Sequence, residues 1–126
     1  MTEYNVSIPT DLENELALSI ARGVMTMHPD GTYSTFGTKV LVGYIDGLKV
    51  EIFANDHPPP HFRVKYQGST ANFRISDGAC INGSGEVMRY QGNINRWWKI
   101  NKAELIECWN KTRPSGCPVG EYRGEA

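Results

Sequence analysis

Asp56, His57 and His61 fall in one six-residue stretch, with Pro58-Pro59-Pro60 between the two histidines. Imidazole titrates near neutrality, so a pair of histidines can serve as general acid and base, with a carboxylate orienting one ring. The same three groups could supply three zinc ligands. His28, the remaining histidine, is remote in sequence, and we assign no metal and no cofactor. The bland reading is a structural loop whose imidazoles bond to backbone. Proline lacks a backbone N–H and fixes φ, so the triple proline is read as a stiff connector beside a sheet.

Directly after this connector, His61, Arg63 and Lys65 alternate with Phe62, Val64 and Tyr66. Alternation puts the three polar residues on one strand face and the three apolar ones on the other. Following a turn at Gln67-Gly68, Ala71, Phe73 and Ile75 alternate with Thr70, Asn72 and Arg74. The hairpin thus predicts a cationic stripe of Arg63, Lys65 and Arg74, with Asn72 adding hydrogen bonds. Such a stripe suits phosphates or an acidic partner, although a solvated outer face is what antiparallel sheets ordinarily carry.

The flanking elements must hold this hairpin. Leu12, Leu16, Ile20, Val24 and Met27 recur at helical spacing, which predicts an amphipathic helix over 10–28. Thr10 with Glu13 reads as a capping box, and Pro29-Asp30-Gly31 as the stop. A loop is expected over 31–38. Two strands over 39–45 and 48–54, joined by Asp46-Gly47, read as a hairpin. Cys80 falls in a short strand, broken at Asn82-Gly83-Ser84-Gly85. That tetrapeptide resembles a phosphate-cradling loop, but the full motif is missing. The rest reads as helical, with a break near Gly92-Asn93 and a last helix capped by Asn101 and Glu104. Leu105, Cys108 and Trp109 form its buried face. Trp97 and Trp98 are adjacent and cannot both point inward, so one is expected in the core.

At 126 residues the chain fits a single domain, 1–126. We divide it into a helix-and-loop extension (1–38), an α+β core (39–112) and a loose tail (113–126). A net charge of −1 gives the whole molecule no electrostatic case for nucleic acid. Charge is uneven, with one base against five acids over 1–38 and seven bases against five acids over 86–126. The three cysteines are irregularly spaced, and no stretch is apolar enough to span a bilayer or serve as a signal peptide. A reducing cytoplasm and no membrane association are the expectation.

The strand Lys49–Phe53, Asn55-Asp-His-Pro-Pro-Pro-His61, Phe62–Tyr66, Gly68, Ala71–Ile75 and Asp77-Gly78 stand in a fixed order. They are followed by Trp97/Trp98, Asn101, Glu104-Leu105 and Trp109. Over about 47–109 this pattern resembles a bacterial family known as domain of unknown function 4160. The family usually reads Pro-Pro-His-x-His-Val, and here Arg63 replaces the second histidine. His-x-His on one strand face could chelate a metal, whereas Arg63 offers a fixed cation with paired donors. The resemblance implies a small protein of a toxin–antitoxin-type gene pair, with a protein partner encoded nearby, and carries no catalytic residues.

The expected fold is α+β: a small antiparallel sheet of about four strands, packed by an N-terminal helix and C-terminal helices. The expected function is a binding module that engages a protein partner or nucleic acid through Arg63, Lys65, Arg74 and Asn72. The alternative is a ribonuclease-like hydrolase with His57 and His61 as acid and base beside Asp56. A third reading is a structural subunit that oligomerises through an exposed tryptophan. Whether the chain is an enzyme stays open at this stage.

Overall fold

The computed structural model describes residues 3–36, 48–55 and 60–122. In chain order its elements are β1 (Tyr4–Ser7), α1 (Thr10–Ala21), β2 (Val24–Met27), β3 (Tyr33–Phe36), β4 (Lys49–Ala54), β5 (His61–Tyr66), β6 (Ser69–Arg74) and β7 (Cys80–Ser84). A 3₁₀ turn (Glu86–Tyr90) then leads into α2 (Gln91–Thr112). The α+β class is as expected. The main sheet has five strands rather than about four, all antiparallel, in the order β1-β4-β5-β6-β7, and β2-β3 form a separate ribbon.

Strand alternation builds the two faces. Val50, Ile52, Phe62, Val64, Ala71 and Phe73 point to one side and are at most 2% exposed. Leu12, Leu16 and Ile20 of α1, with Ile94, Trp97, Leu105 and Trp109 of α2, close the same core. Phe62 stacks on Phe73 with ring centroids 5.1 Å apart and tilts against Trp97 at 5.9 Å. Burial of this contiguous apolar cluster is the main force holding helices to sheet.

Several expectations need correction. The first helix ends at Ala21, not residue 28. Gly23 takes φ of 120° and its N–H bonds back to the Ile20 carbonyl, so the chain leaves the helix there. Val24 and Met27, which continue the helical spacing, instead lie in β2 and pair with Phe36 and Tyr33. The expected loop over 31–38 therefore contains β3. Thr10 makes no capping bond, and the Glu13 carboxylate accepts from the Val50 N–H at 2.7 Å, pinning α1 to β4.

The hairpin expected through Asp46-Gly47 lies outside the described residues, and the neighbours of β4 are β1 and β5. β7 runs through Asn82 to Ser84, so the expected break there is a strand. In it Gly83 packs closely against Ala71 and the Met88 sulfur. Asn101 does mark a helix junction, with φ −111° and ψ 15°, but its amide donates to the Trp97 carbonyl and the Glu15 carboxylate rather than capping forward. The segment expected to be a loose tail is anchored as far as Tyr122. Val119 is buried, Trp109 donates to the Gly120 carbonyl, and Asn110 bonds both the N–H and carbonyl of Tyr122.

The break expected near Gly92-Asn93 falls at Tyr90 (φ −108°, ψ 25°), where the 3₁₀ turn meets α2, and Gly92 and Asn93 lie in the first turn of α2. That pair is the seat of β2 on α2. A Cβ at Gly92 would come within 1.9 Å of the Met25 carbonyl oxygen, so only glycine allows this approach. Asn93 is fully buried; its Oδ1 accepts from the Met25 N–H, and its Nδ2 faces the Ser19 and Gly23 carbonyls and the Ser19 hydroxyl at 2.9 to 3.1 Å. Replacing either residue with alanine should lower stability by about 2–4 kcal/mol, through steric displacement or orphaned buried polar groups. Urea unfolding measures this. Gly120→Ala, which places no atom within 4 Å of the new carbon, is the control and should leave the midpoint in place. Equal midpoints for all four proteins would contradict the assignment.

Candidate binding face of the sheet

The outer face of the main sheet is built in cross-strand rows. The central row reads Ser7, Glu51, Arg63, Asn72, Asn82 across β1, β4, β5, β6 and β7. One row toward the Pro-rich loop lie Phe53, His61 and Arg74, and on the other side Lys49, Lys65 and Thr70. The sequence-derived binding residues Arg63, Lys65, Asn72 and Arg74 thus do share one face. Of the catalytic candidates, His61 is on this face, while Asp56 and His57 lie outside the described residues.

Arg63 sits at the centre. Its guanidinium makes a forked contact with the two carboxylate oxygens of Glu3, one of them at 3.1 Å, while Nε donates to Asn72 Oδ1 at 3.1 Å. The same group lies over the Phe53 ring, 4.2 Å from its centroid. Fork, amide and ring together fix a planar cation in a way that lysine could not copy. The hydrogen bond from Arg63 holds the Glu3 carboxyl below its ordinary pKa, against the smaller opposing effect of burial.

The other cations are committed as well. Lys65 Nζ is 3.0 Å from Glu51 Oε1, an ion pair without hydrogen-bond geometry, so that buried oxygen is compensated by charge alone. Arg74 forks onto Asp77 at 3.1 and 2.9 Å, and the hydrogen bond from Arg74 lowers the Asp77 pKa. Lys49 lies 4.0 Å from Glu13. The cationic stripe expected from the sequence is therefore a set of ion pairs. Asn72 passes the row onward, donating to Asn82 Oδ1 at 2.6 Å.

His61 is half-buried, with its ring 5.4 Å from Phe53 and its strand position directly opposite Arg74. Burial, and secondarily the positive charge of Arg74, lower its pKa below the usual 6.5. The ring is accordingly neutral at pH 7, fit to accept a proton and poorly fit to donate one. Among the described residues, no group of three or more His, Cys, Asp and Glu is placed to hold a metal ion. Nor is any helix among them long and apolar enough to cross a membrane. Trp97 and Trp109 are buried and Trp98, half-buried against Gly78, donates to the Ile75 carbonyl, so the exposed tryptophan required for the structural-subunit reading is not there.

Sequence reasoning missed Glu3, Glu51 and Phe53, which dictate how Arg63 and Lys65 behave. Glu3 is 60 residues from Arg63, and no local spacing signals such a pair. Asp77 was within reach of spacing arguments, three residues beyond Arg74 and next to a turn glycine.

A lowered histidine pKa stabilises the fold above the unfolded value and is lost as pH falls below it, because the unfolded chain then takes up a proton that the native ring resists. An NMR titration of His61 should give a midpoint below 6.5, with loss of stability as pH drops through that region. Arg74→Gln should raise the midpoint only partway, since burial is the larger cause. A midpoint at or above 6.5 in the native protein would contradict the placement of the ring.

The family model described as "Domain of unknown function (DUF4160)" matches residues 47–110, half of the chain. No curated protein and no solved structure matches. The match takes in β4 to β7 and nearly all of α2, while β1, α1, β2 and β3 precede it.

Proposed function

The chain belongs to the DUF4160 family, and from that membership and the outer face of its sheet we propose a binding module of a toxin–antitoxin-like gene pair, with a protein encoded nearby as the partner. One observation carries the choice of partner. Arg63, Lys65, Arg74 and Lys49 each already face a carboxylate of this chain. A polyanion gains affinity by replacing counterions on free cations, and these cations have internal counter-charges. What the face offers instead is a flat array of oriented donors and acceptors around a rigid guanidinium. Protein interfaces use such groups for register and specificity. The cytoplasm is the compartment this role implies.

The hydrolase alternative keeps one foothold, His61, whose neutral ring is suited to a base. The acid would have to be His57. Nothing in the geometry of the described residues favours catalysis over binding.

The test is co-expression with the product of the adjacent gene, followed by affinity measurement on the isolated pair. Lys65 and Arg74 are about half exposed at the side chain, so Lys65→Ala with Arg74→Ala should keep the fold, at some loss of stability where Glu51 loses its counter-charge, and weaken the complex by about tenfold, as expected for loss of interface charge and hydrogen bonds. An unchanged affinity, or no complex with wild type, would sink the reading. Growth arrest with RNA cleavage that is abolished by His57→Ala/His61→Ala would select the hydrolase instead.

A further inference from the structure

α1 and α2 run antiparallel, tied by bonds that climb one helix while descending the other. Asn101 donates to Glu15 at 3.0 Å, and Asn93 to Ser19 at 2.9 Å. On the side away from the sheet the pair encloses a cleft of about 480 Å³. Leu18 and Arg22 lie on one wall, Arg96 and Ile100 on the other. Each of these two pairs is one helical turn apart. Leu18 is 50% exposed and Ile100 is 58% exposed, large apolar side chains left in water on the two rims.

The arginines differ from those on the sheet. Both are exposed, and neither forms an ion pair among the described residues. Two uncommitted cations thus stand beside two uncovered apolar side chains, along a groove between α1 and α2 that Met25 of β2 and Tyr33 of β3 also line. Exposed apolar groups clustered with arginine are the composition of an interface core rather than of ordinary surface. Charge also fixes a direction. Arg22 lies beyond Ser19 at the Asn93 end of the groove and Arg96 is one helical turn along α2 from Asn93, whereas Glu15 lies at the opposite end, bonded to Asn101.

We propose that the groove between α1 and α2 receives an amphipathic helix of a protein partner, with its acidic residues gathered at the Arg22/Arg96 end and apolar residues against Leu18 and Ile100. A helix lying in a helical groove meets it through residues at i, i+3, i+4 and i+7, which matches the rim spacing. Glu15 repels carboxylates at the far end and sets the occupant's polarity. One wall comes from residues preceding the family match and the other from the matched helix, so the groove needs both parts of the chain. The proposal is independent of the sheet-face reading, and either site can fail without the other.

The experiment is a display selection of a helical-peptide library against the full chain, then titration of the enriched peptides. Selected peptides should carry apolar residues one turn apart with Asp or Glu at one end. Arg22→Glu with Arg96→Glu should weaken them by at least about tenfold, more at low salt than at high, while Lys65→Ala/Arg74→Ala on the sheet leaves them unchanged. Should the glutamate pair melt early, Arg22→Gln/Arg96→Gln with the same readout takes its place. Enriched peptides without acidic bias, or affinities indifferent to both pairs, would overturn the proposal. Concentration-dependent dimers of the chain that the arginine variants dissolve would also overturn it, by giving the groove to a second copy.

Discussion

Asn93 has no exposed surface, and its amide holds three segments at once: the C-terminal turn of α1, the glycine that follows it, and the first residues of β2. A buried amide with an unmet partner costs more than the bonds it makes contribute, so this one position specifies a single docking of the N-terminal elements on α2. Gly92 beside it removes the Cβ that would keep β2 away. The helix pair, the ribbon and the groove between α1 and α2 all follow from that seat. Glu13 makes a second, smaller link, from α1 to the β4 backbone.

On the opposite side of the core, electrostatics takes over from packing. The hairpin of β5 and β6 sets an alternating pattern that buries Phe62, Val64, Ala71 and Phe73 and leaves Arg63, Lys65, Asn72 and Arg74 outside. Neighbouring elements then bring an acid to each cation: Glu3 from the residue ahead of β1, Glu51 from β4, Asp77 from the turn after β6. Arg63 gains its fork from Glu3, and Glu3 belongs to the part of the chain that precedes the family match. Surface ion pairs of this kind contribute little to stability singly, about 0–1 kcal/mol each. What they do is leave this face without the free positive charge that a polyanion would need.

The β5–β6 hairpin was legible because strict alternation on both sides of Gln67-Gly68 admits one register. The sharing of one face by the proposed binding residues followed from it. The end of α1 was hidden because Val24 and Met27 keep helical spacing past Gly23, and the glycine's φ outweighed the pattern. β1 is four residues long, half-buried on alternate positions, and paired with a strand far along the chain, so neither length nor periodicity announced it. The neutralisation of the strand face was beyond sequence reading for the same reason: Glu3 reaches Arg63 only once β1 has joined the edge of the sheet.

The claim that the sheet face is internally neutralised, and therefore reads a protein rather than a polyanion, is best tested by fluorescence anisotropy with a single-stranded RNA across a salt series. Wild type should bind negligibly at physiological salt, and Glu3→Gln/Glu51→Gln/Asp77→Asn, which frees the cations, should gain affinity that falls steeply as salt rises. Tight, salt-sensitive RNA binding by the wild type, unaltered in the triple variant, would contradict the account.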